Sequence, residues 1–250
     1  MKFARFQAGD KTLWGVVEGE AIRAIAGNYL AEFALTDDIY PLSQVTLLAP
    51  VEPSKIIGVG LNYKAVAVSK GTEFPAEPIL FLKPLTTLIG PGDDIVIPEM
   101  VKSPAFEVEL AVVIGKKAKN VTEEDALDYV FGYTLANDVT AKDHMVKGQP
   151  WTKGKSFDTF TPVGPYLVTS GDPAKFEISL TVNGVEKQHS LTDDMIFNVQ
   201  ALIAFISSVM TLMPGDLILT GTPVGGSEFS RGDLIGLACS QIGTMKNRAV

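Results

Sequence analysis

The chain has 250 residues, of which 46% are hydrophobic and 20% charged, enough for one sizeable core with a small appendage. A net charge of −8 argues against a nucleic-acid backbone as partner. One cysteine, Cys239, excludes an internal disulfide and a Cys-based zinc cluster, and two histidines, His144 and His189, are too few for a His-rich metal site.

The start, Met1 to Arg5, alternates polar and apolar residues and lacks the apolar core of a signal peptide. Short strands are predicted at Phe3–Gln7, Thr12–Val17 and Ala21–Ile25, with turns at Gly9-Asp10 and Glu18-Gly19-Glu20. Ala31–Leu35 reads as weakly helical, and Val45–Ala49 as a strand ended by Pro50. Residues 1–50 are therefore expected to be a small β-rich module, followed by a main body over 53–250. Lys55–Gly60 is a predicted strand. Lys64 to Pro78, broken by Gly71, Pro75 and Pro78, is a candidate lid. Strands are predicted at Ile79–Lys83 and Asp94–Pro98, and a short helix from Thr122 to Tyr129, with Thr122 as cap and Val121 stapled on Ala126. Val130–Asn137, Gly164–Ser170 and Phe176–Val182 read as strands, and Asn183-Gly184 as a hairpin turn. Met195–Leu212 is the one long amphipathic helix, with Asp193 and Asp194 as cap candidates. Asn198, Gln200, Ser207 and Ser208 make the stretch from Met195 to Met213 too polar for a membrane span, so a cytoplasmic protein without a membrane partner is expected. Asp216–Thr220 and two weak strands around Gln241-Ile242-Gly243 complete the chain. Strands do not alternate regularly with helices, which favours a mixed or antiparallel β fold with few helices, in the α+β class.

Phe106 to Gly115 stands out. Two carboxylates open an aliphatic, β-branched run that reads as a strand. Residues i and i+2 of a strand share a face, so Glu107 and Glu109 project together while Phe106, Val108 and Leu110 point the other way. Like charges in an enclosed space need a cation or a proton between them. Asp138, at the end of an apolar strand, is the candidate third acid. Three carboxylates make an all-oxygen site suited to Mg²⁺ or Mn²⁺. Spacing alone leaves open two solvent-facing glutamates and a turn aspartate.

Several further motifs come in order: Gly60-Leu61-Asn62-Tyr63, Phe81-Leu82-Lys83-Pro84, the Glu107–Gly115 strand, Gly132 to Ala141, Lys155-Ser156-Phe157-Asp158, and Gly221-Thr222-Pro223-Val224-Gly225. This ordered set resembles the fumarylacetoacetate hydrolase family over residues 53–250, and residues 1–50 resemble the N-terminal module of bacterial members. The resemblance implies a β-sandwich roll, a homodimer, and Mg²⁺ or Mn²⁺ on Glu107, Glu109 and Asp138. It implies a small 2-oxo or enol acid as substrate, often a dicarboxylate, whose enolate a metal would stabilise. Lys155, Lys83 and Lys142 are the candidate catalytic residues, and Thr222, Gly221 and Lys155 the candidate substrate contacts.

The departures are specific. Members usually carry His, then Glu three residues later, shortly after Asn-Tyr; that pair activates water. Here Val66 and Ser69 stand at those positions, and Glu73 is the nearest acid further along. Lys142 replaces a frequent Arg, keeping charge without the bidentate fork. Met145 replaces a frequent Gln, and Ala105 a frequent Asp or His. His144 is not expected to be the base. An intact metal set without the hydrolytic pair favours decarboxylation or keto–enol isomerisation of a 2-oxo dicarboxylate. The alternatives are C–C hydrolysis of an acylpyruvate or fumarylpyruvate with Glu73 assisting, and a non-catalytic metal- and ligand-binding protein.

Overall fold

The computed structural model describes residues 1–146 and 148–250. Five strands open the chain: β1 (Lys2–Ala8), β2 (Lys11–Glu18), β3 (Ala21–Gly27), β4 (Phe33–Pro41) and β5 (Thr46–Leu48). The weak helix expected over Ala31–Leu35 is instead the start of β4. Pairing with β3 and the edge-to-face contact of Phe33 on Phe3, with centroids 5.4 Å apart, outweigh a marginal local preference.

β6 (Ile56–Gly60) leads into helix α1 (Lys64–Lys70), then β7 (Ile79–Lys83), β8 (Leu88–Ile89) and β9 (Pro104–Ala105). The first half of the expected lid is thus helical. Gly71 stops the helix in the left-handed conformation at φ 62°, which costs glycine little. The strand expected at Asp94–Pro98 reduces to one bridge, Ile95 to Ala249. Next come β10 (Val108–Ile114), β11 (Val130–Asn137), β12 (Thr140–Ala141), helix α2 (Thr152–Lys155) and β13 (Thr161–Val168). The helix expected from Thr122 shrinks to a 3-10 turn at Ala126–Tyr129. Thr122 still accepts the Asp125 amide at 3.3 Å, but the chain must leave at once for β11.

β14 (Glu177–Val182) and β15 (Val185–Leu191) form the expected hairpin, with Asn183 and Gly184 both at positive φ. Helix α3 (Val199–Val209) is shorter than predicted. Its cap is Asn198, which accepts the Ala201 amide at 2.9 Å. Asp193 and Asp194 fall in a separate 3-10 turn, and Asp194 accepts the Ala65 amide of α1 at 3.0 Å. β16 (Leu217–Leu219), β17 (Leu234–Cys239) and β18 (Gly243–Arg248) finish the chain. Among the described residues no helix is long and apolar enough to cross a membrane.

The fold is mostly β, with mixed pairing. A twelve-stranded sheet runs β4-β3-β2-β1-β13-β11-β10-β16-β6-β7, with β5 on β1 and β8 on β13. β16 lies parallel to β6 and β13 parallel to β8; the other pairs of this sheet are antiparallel. A four-stranded antiparallel sheet, β15-β14-β17-β18, packs against it. β10 lies between two apolar layers. Val108, Leu110, Val112 and Ile114 face the larger core, with Leu180, Ile235 and Leu237 of the smaller sheet. Ala111 and Val113 face a second core with Phe3, Leu167 and Leu219. With both faces covered, all seven residues of β10 are buried, which explains the apolar run from Leu110 to Ile114.

Candidate active site

The register of β10 against β11 assembles the acids. Glu109 lies opposite Ala136 and Val108 opposite Asn137. One step beyond the pairing, the Asp138 amide donates to the Glu107 carbonyl at 2.9 Å, and the Asn137 side chain accepts the Glu107 amide at 2.9 Å. Ligand atoms of Glu107, Glu109 and Asp138 all fall within 4.8 Å of one another. Glu109 and Asp138 are each 1% exposed.

Two lysines enter this group. Lys155, at the end of α2, donates to Glu107 Oε2 at 2.7 Å and to Asp138 Oδ2. Its ammonium also lies 5.0 Å from the centre of the Phe81 ring. Lys83, ending β7, binds Asp138 Oδ1 and the carbonyls of Phe160 at 2.9 Å and Val139 at 3.3 Å. Burial alone would lower the pKa of Lys155, but Asp138, Glu107 and Glu109 reverse this and hold the ammonium charged. Lys83 is pulled down by burial, against the opposing pull of Asp138. Burial would raise Asp138; the two lysines overcome it and keep the carboxyl below its ordinary range. Glu109 is pushed well above the ordinary carboxylate range, first by burial, then by the charge of Asp138, against Lys155 and the Gly221 amide.

Two ammoniums against three carboxylates leave one negative charge uncompensated, and Glu109 bears the consequence. The donors are all oxygens. Among the described residues, Oε1 of Glu107 and Oε1 of Glu109 accept no hydrogen bond. A hard divalent cation fits this set in charge and in donor chemistry.

The acids open into a cavity of about 220 Å³. Lys142, Thr222 and Lys155 line it. Lys142 also donates to the Gly226 carbonyl at 3.3 Å. Lys83 does not line it; it stands behind Asp138. The Gly221 amide is committed to Glu109 Oε2 at 2.7 Å, so it holds a carboxylate. Gly221 sits at φ 99°, and a Cβ there would lie 2.8 Å from the Asn62 Cβ. Neither His144 nor His189 lines the cavity. His144 contacts the Met100 carbonyl at 3.1 Å, and His189 the exposed Glu177. On α1, Val66 lines the cavity, Ser69 turns back to the Val66 carbonyl at 2.9 Å, and Glu73 lies exposed outside the lining.

Sequence reasoning passed over several residues. Trp151 lines the cavity and packs so closely on Gly60 that a Cβ there would meet its ring at 2.0 Å. Lys70 lines the cavity from the last turn of α1, four residues after Val66 and hence on the same helix face. Asn62 ties the end of β6 to Thr220 at 2.8 Å and Phe197 at 3.0 Å. Gln188 is 1% exposed on a strand otherwise largely open to solvent. Gly60 before Asn62-Tyr63 was a visible signal; for Gln188 the local sequence offers none.

A buried, lysine-braced triad of acids opening into a cavity of a mixed β fold is the candidate site. The chain belongs to the fumarylacetoacetate hydrolase family. Residues 55–250 match the fumarylacetoacetate (FAA) hydrolase C-terminal family, and residues 1–50 the Rv2993c-like N-terminal family. It is similar to a 2-hydroxyhepta-2,4-diene-1,7-dioate isomerase from Mycobacterium marinum, at 42% identity and TM-score 0.92, covering 100% of this chain and 98% of that one. A mitochondrial oxaloacetate tautomerase of Xenopus laevis is 44% identical over 221 residues, 83% of this chain and 69% of the relative. A maleylpyruvate hydrolase from Sphingobium sp. SYK-6, solved with manganese(II) and pyruvate, is 33% identical with a TM-score of 0.82, covering 100% of this chain and 99% of that one. The family resemblance read from the motifs and the mixed β fold both hold.

Proposed function

We propose that this chain is a divalent-metal-dependent enzyme that tautomerises, isomerises or decarboxylates an enolisable 2-oxo dicarboxylate. The observation that carries the reading is an acid triad braced by Lys155, facing a lid helix without the His/Glu pair: Val66, at the His position, lines the cavity, and Ser69, at the Glu position, turns back to the Val66 carbonyl. Glu107, Glu109 and Asp138 would hold Mg²⁺ or Mn²⁺. When bound, such an ion polarises a 2-oxo group and stabilises negative charge on its oxygen.

The chain's own residues supply the rest. The Lys155 ammonium, fixed by two carboxylates, presents a charged donor to the developing oxyanion. Thr222 offers its hydroxyl to the substrate carboxylate. Lys83 neutralises Asp138 from behind. Outward, Val66, Lys70, Lys142 and Thr222 line both this cavity and its neighbour beside the 223–226 turn, so two lysines can meet a distal carboxylate. Without the His/Glu pair on the lid to activate water for attack on carbon, proton transfer between C3 and O2, or loss of a carboxylate as CO₂, is favoured. The names of the Xenopus and M. marinum relatives agree with this class of reaction.

The test is a comparison of enol-oxaloacetate, fumarylpyruvate, acetylpyruvate and a hydroxymuconate-type diacid with Mg²⁺ and with EDTA. Metal-dependent decay of the enol absorbance, or CO₂ release, without cleavage products supports the reading. Hydrolysis of the acylpyruvates at comparable rates overturns it in favour of a C–C hydrolase. Tight binding without turnover leaves a binding protein. The same reading carries a cytoplasmic homodimer, and light scattering checks its mass.

A further inference from the structure

Gln188 is the feature that the mechanism above leaves unused. It sits buried on β15, across the sheet junction from the acids, and all of its amide atoms are engaged. Its Oε1 accepts the Val108 amide at 2.9 Å; its Nε2 donates to the Pro223 carbonyl at 2.8 Å and to Thr222 Oγ1 at 2.9 Å. The orientation is fixed by these partners. A flipped amide would set Nε2 against the Val108 N–H and Oε1 against the Pro223 carbonyl, two donors facing each other and two acceptors likewise.

This polarity has a consequence at Thr222. A hydroxyl carries one hydrogen and two lone pairs. Gln188 fills a lone pair, so the Thr222 hydrogen must point elsewhere. Among the described residues it has no acceptor, and Thr222 lines the cavity. Gln188 also ties the turn that carries Thr222 to Val108, the residue between Glu107 and Glu109. That buried amide thus joins the Gly221–Glu109 hydrogen bond in tying the hydroxyl to the acids.

We infer that Gln188 is a positioning residue, which makes Thr222 an obligate hydrogen-bond donor to the substrate carboxylate. The inference rests on the 2-oxo acid reading of the site. A purely architectural Gln188 would serve only Val108 and Pro223, so a double-mutant cycle separates the two roles. Gln188→Met and Gln188→Glu would each be made with Thr222 intact and in a Thr222→Val background, with Thr222→Ser as the conservative control. In its ionised form glutamate keeps the acceptor for Val108 and has no hydrogen to donate, so it draws the Thr222 hydrogen to itself. Losing one hydrogen bond to a charged group corresponds to roughly ten- to hundredfold in affinity.

The readouts are KM and kcat for the turned-over diacid, calorimetric Kd for oxalate with Mg²⁺, and Tm. Expected are a rise of about tenfold or more in KM and in oxalate Kd for both Gln188 variants, little change in kcat, near-normal behaviour of Thr222→Ser, and no further loss when Gln188 is changed in Thr222→Val. An equal loss in both backgrounds, or a fall in Tm with KM and Kd unmoved, overturns the inference. If the wild-type chain binds oxalate without turning over any 2-oxo acid, the proposed reaction fails while the cycle on oxalate Kd still decides on Gln188. If it binds neither oxalate nor a 2-oxo acid, both readings fall.

Discussion

Glu109→Gln should move stability and metal binding in opposite directions. Glu109 is fully enclosed, its pKa raised by burial and by Asp138, with Glu107 adding to the push. A raised pKa means that the folded chain holds a proton the unfolded chain releases. The stability this gives is complete below the ordinary carboxylate pKa and is lost as pH rises toward the raised value. One proton changes the unfolding free energy by at most about 1.4 kcal/mol per pH unit across that window. Glutamine keeps the shape and removes the titration. The metal-stripped variant should therefore be more stable than wild type at neutral pH, and its Tm should fall less as pH rises. Metal should act the other way. At 100 times Kd a ligand stabilises by about 2.7 kcal/mol; a hundredfold weaker site retains about 0.4 kcal/mol at that concentration. For a chain of this size that is a shift of roughly 5–10 °C reduced to about 1 °C. Differential scanning fluorimetry between pH 5 and 8, with EDTA or with Mg²⁺ or Mn²⁺, measures both. A full metal-induced shift in Glu109→Gln, or a metal-stripped variant less stable than wild type at pH 8, refutes the assignment.

Lys155→Met strips one positive charge from Glu107 and Asp138. The metal-free protein should lose about 3–5 kcal/mol, measurable by urea unfolding, and the metal-loaded enzyme about 10²–10³ in kcat; near-normal turnover would remove Lys155 from the reaction. Val66→His with Ser69→Glu would return a base and its partner to the lid helix. Product analysis should then show C–C hydrolysis of an acylpyruvate absent in the parent, and an unchanged product spectrum would mean that the lid does not decide between the reactions. Gly60→Ala drives a Cβ into the Trp151 ring. It should cost about 1–3 kcal/mol and weaken substrate binding through displacement of Trp151; an unshifted Tm and KM would show that the ring is free to yield.

Much of the acid site was legible because it lies on regular structure. Strand alternation put Glu107 and Glu109 on one face and Phe106, Val108 and Leu110 on the other, and the latter three do join the larger core. Asp138 was found as the residue that ends an apolar strand. What stayed hidden depends on tertiary contact. Gln188 sits in a polar strand whose neighbours are mostly exposed, and only the approach of the Thr222 turn and β10 makes it buried. Lys70 falls within the candidate lid segment without a distinguishing signal, and only the helix places it on the face of Val66, four residues on. The errors at β4 and at the ends of α3 have the same source. Phe33 pairs and packs where its own neighbourhood was neutral, and Asp194 is diverted to the first turn of α1, leaving Asn198 to cap.

β10 carries one further consequence. With hydrocarbon on both faces, slipping it by one residue against β11 would exchange the residues that meet its two cores, and it would carry Glu109 into an apolar layer. The acids are therefore held by the same packing that makes the protein fold, and sequence drift there is penalised by unfolding before it reaches chemistry. Helix α1 is constrained less: Val66 belongs to the larger core, but Lys70, exposed and lining the cavity, can be exchanged without touching either core sheet. The molecule separates an acid floor held by core packing from a roof with replaceable positions, and new reactions in such a scaffold should be sought by rewriting the exposed residues of that helix.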